Sequence, residues 1–217
     1  ILAAPQRRLH TDPIVHAYAI TARRCGFHRE YLAAFFNSMR ADLTQREYSP
    51  SELQDYIYGS AEAIGLLCLQ IFLAEEDVSP ADRAAMERGA RALGSAFQKI
   101  NFLRDLGEDS STLGRTYFQQ APSGRIDEAT KSALIAEIRQ ELATAALTID
   151  VLPASARVGV SAAADIFAEL TNRLAATPAT ALATTRVSVP NHTKAWLAAR
   201  AVRRRGHSNQ TPPLAGD

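Results

Sequence analysis

The chain lacks most of the features that announce a function class. Of 217 residues only two are cysteine, Cys25 and Cys68, and each sits inside an apolar helical pattern. That placement reads as two buried free thiols rather than a disulfide, which suits a reducing cytoplasm. No window reaches the roughly 18 consecutive apolar residues that a membrane span requires. The most apolar stretch, Ile64 to Ala74, is interrupted by Gln70 and followed by Glu75, Glu76 and Asp77. No charged region followed by an apolar stretch opens the chain, so the expected location is cytoplasmic. With 24 Lys+Arg against 23 Asp+Glu, the net charge of +1 excludes a global attraction to nucleic acid, and any anion site must be local. A Gly-x-Gly-x-x-Gly phosphate loop is missing, and so is any Glu-x-x-His pair of the kind that builds a di-iron bundle.

Alternating runs of Val, Ile and Thr are also few, and what remains reads as helices. Asp12-Pro13 gives an N-cap and a first-turn proline for a helix to about Arg24 that breaks at Gly26. A second spans Arg29 to Leu43. Ser49-Pro50-Ser51-Glu52 is a capping box that starts a helix to about Ala74, and Ser79-Pro80-Ala81-Asp82 repeats the device for one to about Leu106. After a polar loop, residues 127–149 and 154–176 make two Ala- and Leu-rich helices, and Asn191 to Arg205 a last one. The expectation is an all-α single domain over residues 1–205, a bundle of about seven helices around a central cavity, with a disordered tail from Gly206.

One helix carries the chemistry. Gln98, Asn101, Asp105 and Asp109 are spaced three, four and four apart, which puts four metal-capable side chains on one stripe. Leu93, Ala96, Ile100 and Leu103 fall on the opposite face and anchor it, and Gly94 on the stripe leaves room for a ligand. Two carboxylates one turn apart repel, so the pair calls for a cation. Hard oxygen donors suit magnesium, which is held by one or two carboxylates together with substrate phosphates. Arg104 and Arg115 are placed to hold diphosphate oxygens. Spacing alone also fits a solvated helix face with Arg104 paired to Glu108.

The string from Leu93 to Asp109, with its core Asn-x-x-Arg-Asp-x-x-Glu-Asp, resembles the second aspartate-rich signature of the phytoene and squalene synthases. Gly114-Arg115-Thr116-Tyr117 resembles that family's Gly-Arg-x-Tyr stretch. Tyr56-Ile57-Tyr58-Gly59-Ser60-Ala61-Glu62-Ala63-Ile64-Gly65 is similar to its Tyr-x-Tyr-x-x-Ala-Gly-x-x-Gly helix, with Glu62 where the family has glycine. Asp42 with Tyr48 resembles the upstream Asp-Leu and Tyr pair, and Arg157, Arg186 to Val189 and Lys194 the C-terminal segment. The likeness covers roughly residues 12 to 200 in order.

The resemblance implies an all-helical, magnesium-dependent prenyltransferase that joins two prenyl diphosphates head to head through a cyclopropyl intermediate, with manganese as the alternative ion. By it, Asn101, Asp105 and Asp109 would hold the metal, Gln98, Arg104 and Arg115 the diphosphate, and Tyr56 would sit beside the reacting carbons. On a regular helix Tyr56, Gly59, Ser60 and Ala63 share one face, an aromatic hydroxyl above a trough of small residues. Bacterial phytoene synthase is the nearest match in feel, making geranylgeranyl diphosphate the expected substrate and carotenoid biosynthesis the setting. A squalene synthase-type enzyme using farnesyl diphosphate and NADPH is the alternative, as is a non-catalytic member serving as an assembly factor.

Two further expectations concern the ends. Arg200, Arg203, Arg204 and Arg205 cluster with Trp196 on the last helix, either as a solvated helix end or as a peripheral contact with anionic lipid. The family pairs two facing Asp-x-x-x-Asp motifs, and only one is found here. The first is expected before Ile1, so that these 217 residues alone bind diphosphate weakly and form no hydrocarbon, whereas a chain longer by roughly 70 to 90 residues, still within the range of one domain, does.

Overall fold

The caps start the helices where the sequence sets them. The protein was analysed as a computed structural model, which describes residues 1–107 and 126–208, with side chains in the last helix as far as Arg204. Asp12 accepts hydrogen bonds from the amides of Ile14 and Val15 and opens α1 (Pro13–Cys25), and Gly26 ends it at φ 62°, a left-handed turn suited to glycine. Helix α2 (Arg29–Thr44) follows. Ser49 and Glu52 form the reciprocal capping box of α3 (Pro50–Ile57). After α4 (Ala63–Phe72), Ser79 accepts from the Asp82 amide at the head of α5 (Pro80–Arg104). Asp127 does the same for α6 (Glu128–Ile149) through the Thr130 amide, and α7 (Ala154–Ala176), α8 (Ala179–Leu182) and α9 (Asn191–Ser208) complete the chain. No strand occurs among the described residues, and the fold is an all-α bundle.

Three details depart from the expectation. The helix expected to run unbroken from Glu52 to Ala74 contains a π-helical segment, Tyr58–Glu62, between α3 and α4. Gly59 within it lies flush against α2, where a Cβ would overlap the Ala34 carbonyl and Ser38 Oγ. The wider π turn rotates α4 relative to α3, so a face drawn for a regular helix no longer holds. Second, α9 continues past Gly206 to Ser208, because one glycine withdraws only about 1 kcal/mol of helix propensity and does not by itself stop a helix. Third, a 3₁₀ turn at Ala4–Gln6 and the four-residue α8 were not foreseen, being too short to show a period.

Helix α5 is the centre of the bundle, with α6 packed antiparallel along one side and the α3–α4 unit along another. Helix α7 lies beside α6 and α5, and α9 covers α7. Ile100, Leu103, Ile138, Leu174 and Leu182 are at most 1% exposed in the larger core cluster, where a truncation to alanine would cost about 2–5 kcal/mol. A second cluster, Leu69, Leu73, Met86 and Leu152, closes the opposite end of α5.

Candidate active site

A groove of about 560 Å³ runs along α5, with α4 and the preceding π segment as one wall and α7 as the other. Ser60, Ile64 and Phe72 line the first wall, Leu93 and Phe97 the base, and Ala156 and Ala163 the far wall. Small residues make the walls possible. A Cβ on Gly65 would stand 2.6 Å from the Ala90 carbonyl oxygen, and one on Gly94 the same distance from that of Ala61. Gly94 therefore seats the α4 unit against α5, and the ligand space expected beside it is filled by backbone. Cys68 is also corrected. It is not a core thiol but opens onto the groove, whose apolar lining pushes its pKa up, while Cys25 is half-buried.

Where the groove base ends at Phe97, the polar stripe begins. Gln98, Asn101 and Asp105 are half-buried on this continuation of α5 and do not themselves line the groove. Asn101 Oδ1 is buried and has no hydrogen-bond partner among the described residues. Asp105, just past the end of α5, is held by Arg104, whose Nε donates at 2.9 Å, and by Arg186, whose Nε lies 3.1 Å from Oδ1. Arg104 thus pairs with its chain neighbour. Asp109, Arg115 and Glu108 lie outside the described residues, and among those described no three His, Cys, Asp or Glu side chains gather as a metal cluster.

Tyr56 does not face the groove as drawn for a regular helix. Tyr56, Gly59 and Ala63 turn inward to the core and α2, and the groove side of the same unit is Ser60, Ala61, Ile64 and Gly65. The Tyr56 hydroxyl donates to Asp42 Oδ1 at 2.9 Å, its ring meets Tyr48 edge-on at 5.1 Å, and Phe102 lies 6.1 Å away. Tyr56 also borders a separate cleft of about 400 Å³ against α2, with Asn37, Gln45 and Asp55. The Asp42–Tyr48 pair singled out in the sequence is thus the immediate support of Tyr56, at the same end of α5 as Asn101.

Sequence reasoning missed two arrangements. Arg186 was named without a role, and only folding brings it to Asp105 across a long stretch of chain. The other is a buried cluster between α5 and α6: Lys99 donates to Glu137 at 2.7 Å and to Glu141 at 2.6 Å, and Ser95 donates to Glu141 at 2.8 Å. Burial alone would depress the Lys99 pKa, but its two carboxylates more than reverse that and raise it. The Glu141 pKa is also raised, because burial outweighs the hydrogen bonds from Lys99 and Ser95 that would lower it; among the described residues its Oε2 has no donor. Nothing in one sequence marks Lys99, since a lysine on a helix is ordinarily a solvated one.

At the far end, Arg200 and Arg204 reach Asp165 at 2.9 Å and 3.3 Å, and Arg200 also lies over the Trp196 ring. Two of the four clustered arginines are therefore engaged within the bundle. No helix of the described residues is long and apolar enough to cross a membrane.

Known proteins resemble this chain in sequence and fold. Phytoene synthase 3 of Zea mays is 44% identical over 86 residues, covering 38% of this chain and 19% of that protein. The 4,4'-diapophytoene synthase of Staphylococcus haemolyticus is 33% identical over 111 residues, 51% of this chain and 36% of its own. The matched part is thus about a third or less of these relatives' length. A dehydrosqualene synthase solved in complex with a ligand superposes with a TM-score of 0.75 at 18% identity, covering 95% of this chain and 75% of that one. A squalene synthase from Alicyclobacillus acidocaldarius gives 0.61, also at 18% identity, over 95% of this chain and 71% of that one. At such identity the structural likeness speaks for the fold alone. The squalene/phytoene synthase family model matches residues 2–193, nearly the whole described chain, and the protein belongs to that family of prenyltransferases.

Proposed function

We propose that the protein takes part in the head-to-head condensation of two prenyl diphosphates, with geranylgeranyl diphosphate as substrate and phytoene as product. The observation that carries this reading is the make-up of α5, which supplies the base of an apolar groove below and half-buried Gln98, Asn101 and Asp105 directly above it. An amphiphile with an apolar tail and an anionic head matches that division.

A metal fits the upper part. The buried Asn101 Oδ1, without a partner among the described residues, and the Asp105 carboxylate are hard oxygen donors, and these two with Asp109 would hold Mg²⁺. When bound, the ion neutralises charge on the departing diphosphate. Arg104 and Arg186, now on Asp105, are within reach of the same head group and complement its oxygens. The groove excludes water from the tail and from the allylic cation left when diphosphate departs. Tyr56, whose hydroxyl donates to Asp42 and whose ring lies 6.1 Å from that of Phe102, stands at that end of α5, where it would steady the cation or shuttle a proton.

Product analysis on the full reading frame with Mg²⁺ tests the reading. Geranylgeranyl diphosphate should yield a 40-carbon hydrocarbon without NADPH. Conversion of farnesyl diphosphate alone would move the substrate to the squalene type, and no hydrocarbon from either would overturn the catalytic reading.

A further inference from the structure

We infer that Gly159, facing Cys68 across the groove, sets how long a prenyl tail the groove accepts; the inference rests on the groove being the prenyl site. Four glycines line the groove, and packing dictates three of them. A Cβ on Gly65 or Gly94 would press on the backbone of Ala90 or Ala61, and one on Gly89 would overlap Thr148. At Gly159 an added Cβ meets nothing within 4 Å. Glycine is the poorest choice short of proline inside a helix, and Gly159 lies within the 23-residue α7. Neither packing nor helix stability therefore asks for glycine there. Gly159 is itself exposed, and its missing side chain leaves the groove open on the α7 side, opposite an exposed Cys68 on the α4 side.

The depth of this opening follows from α5 used as a ruler. Gly65 rests on Ala90, and Phe167 stacks on Phe97 with ring centroids 3.8 Å apart. Because α4 runs against α5 and α7 runs with it, Cys68 and Gly159 come to the level of residues 87 to 89. Asn101 is about twelve residues beyond residue 89, or about 18 Å at the helical rise of about 1.5 Å per residue. With carbon–carbon bonds of about 1.5 Å, an extended isoprene unit advances about 5 Å. A tail whose head group sits at Asn101 and Asp105 therefore reaches this level with its fourth unit. A 15-carbon tail ends above Gly159, whereas a 20-carbon tail has to pass between Gly159 and Cys68 toward the floor at Met86 and Leu152.

The test is calorimetric titration of the protein in its full reading frame and of its Gly159→Ala and Gly159→Leu variants with farnesyl and geranylgeranyl thiodiphosphates in the presence of Mg²⁺, alongside thermal melting. Gly159→Ala should melt no lower than the parent and bind both ligands within about threefold, as a helical position free of packing demands allows. Gly159→Leu should bind the 20-carbon ligand at least about tenfold more weakly while holding the 15-carbon ligand within about twofold, a selective loss of the size that added bulk in an apolar pocket gives. Equal losses for both ligands, or none, would overturn the inference and leave the groove reading standing. If the parent protein binds neither ligand, the groove reading fails and this inference fails with it. Should Gly159→Leu not fold, alkylation of Cys68 with a benzyl reagent in a Cys25→Ser chain fills the same level from the opposite wall, and it must produce the same selective loss.

Discussion

Two ion clusters on α5 are built from the same parts in opposite proportion. Against α6 a single ammonium, Lys99, lies between the carboxylates of Glu137 and Glu141; at the helix end a single carboxylate, Asp105, lies between the guanidiniums of Arg104 and Arg186. In the first cluster Lys99 and Glu141 are 11% and 20% exposed and lie in the α5–α6 contact while Glu137 reaches solvent at 54%; in the second Asp105 and Arg104 are 18% and 25% exposed and Arg186 is 63%. Burial separates their roles. The Lys99–Glu141 pair between the two helices cannot exchange partners without parting them, while Asp105 can trade the exposed Arg186 guanidinium for another cation with little rearrangement.

Removing one side of the sealed cluster should have the largest effect on the fold. Lys99→Met strands Glu141 in the interface with an oxygen already short of a donor, and should cost about 2–4 kcal/mol in urea unfolding at neutral pH. Replacing both members, Lys99→Met with Glu141→Leu, should recover most of that. A loss below about 0.5 kcal/mol for the single variant would place the cluster among ordinary surface pairs.

The open cluster should answer the other way. Asp105→Asn is expected to change stability by less than about 1 kcal/mol. It should nonetheless weaken Mg²⁺-dependent binding of inorganic diphosphate about tenfold or more, equivalent to about 1.4 kcal/mol. Calorimetry showing unchanged affinity on the folded variant would remove Asp105 from the site and leave its arginines as a plain helix-end pair.

Tyr56 stands between the two cases, buried like Lys99 yet at the Asn101 end of α5. Tyr56→Phe deletes the bond to Asp42 and should cost about 1 kcal/mol of stability. In an active full-length enzyme it should lower kcat more than it raises KM. Equal effects on both would recast the hydroxyl as packing support.

These contrasts mark what a single sequence conveys. Caps and breakers are local chemistry, so Asp12, Ser49, Ser79 and Gly26 located their helix ends within a residue or two. Three of the four residues read as the apolar anchor of α5, Ala96, Ile100 and Leu103, are fully buried, whereas Leu93 is half-buried and lines the groove instead. What the sequence withheld depends on partners distant along the chain. The π segment reflects how closely Gly59 approaches α2, and the contact of Arg186 with Asp105 reflects the path of the chain after α8. A central cavity and a small-residue trough after Tyr56 were legible, but the second wall of the groove, α7, was not, since the run Ser155, Ala156, Gly159 and Ala163 reads as a bland small-residue face until it meets α5.

The smallest expected effect is one of pH, and it tests whether burial or Lys99 dominates at Glu141. Burial holds the folded-state pKa of Glu141 above its ordinary value of 4.5, so the folded protein prefers this carboxyl protonated. A carboxyl raised in this way stabilises the fold as pH falls through its folded pKa and withdraws that contribution as pH rises, the reverse of a salt-bridged carboxylate. Lys99 is raised from 10.5, so its contribution is fully present below that value and is lost only as pH climbs through its folded pKa. In mildly acidic solution Lys99 is therefore silent, and the slope belongs to Glu141. Glu52, Asp127 and Glu128 are lowered from their ordinary values by hydrogen bonds, Glu128 chiefly by the one to Lys131, and lose their contributions only below about 4.5, outside the same window. Thermal melting of the protein and of Glu141→Gln between pH 7 and pH 5 isolates the effect, because every other group is common to both. The parent should gain in melting temperature relative to the variant as the pH is lowered. A gap that shrinks instead would mean that the Lys99 ammonium outweighs burial, and that the sealed cluster behaves as an ordinary ion pair.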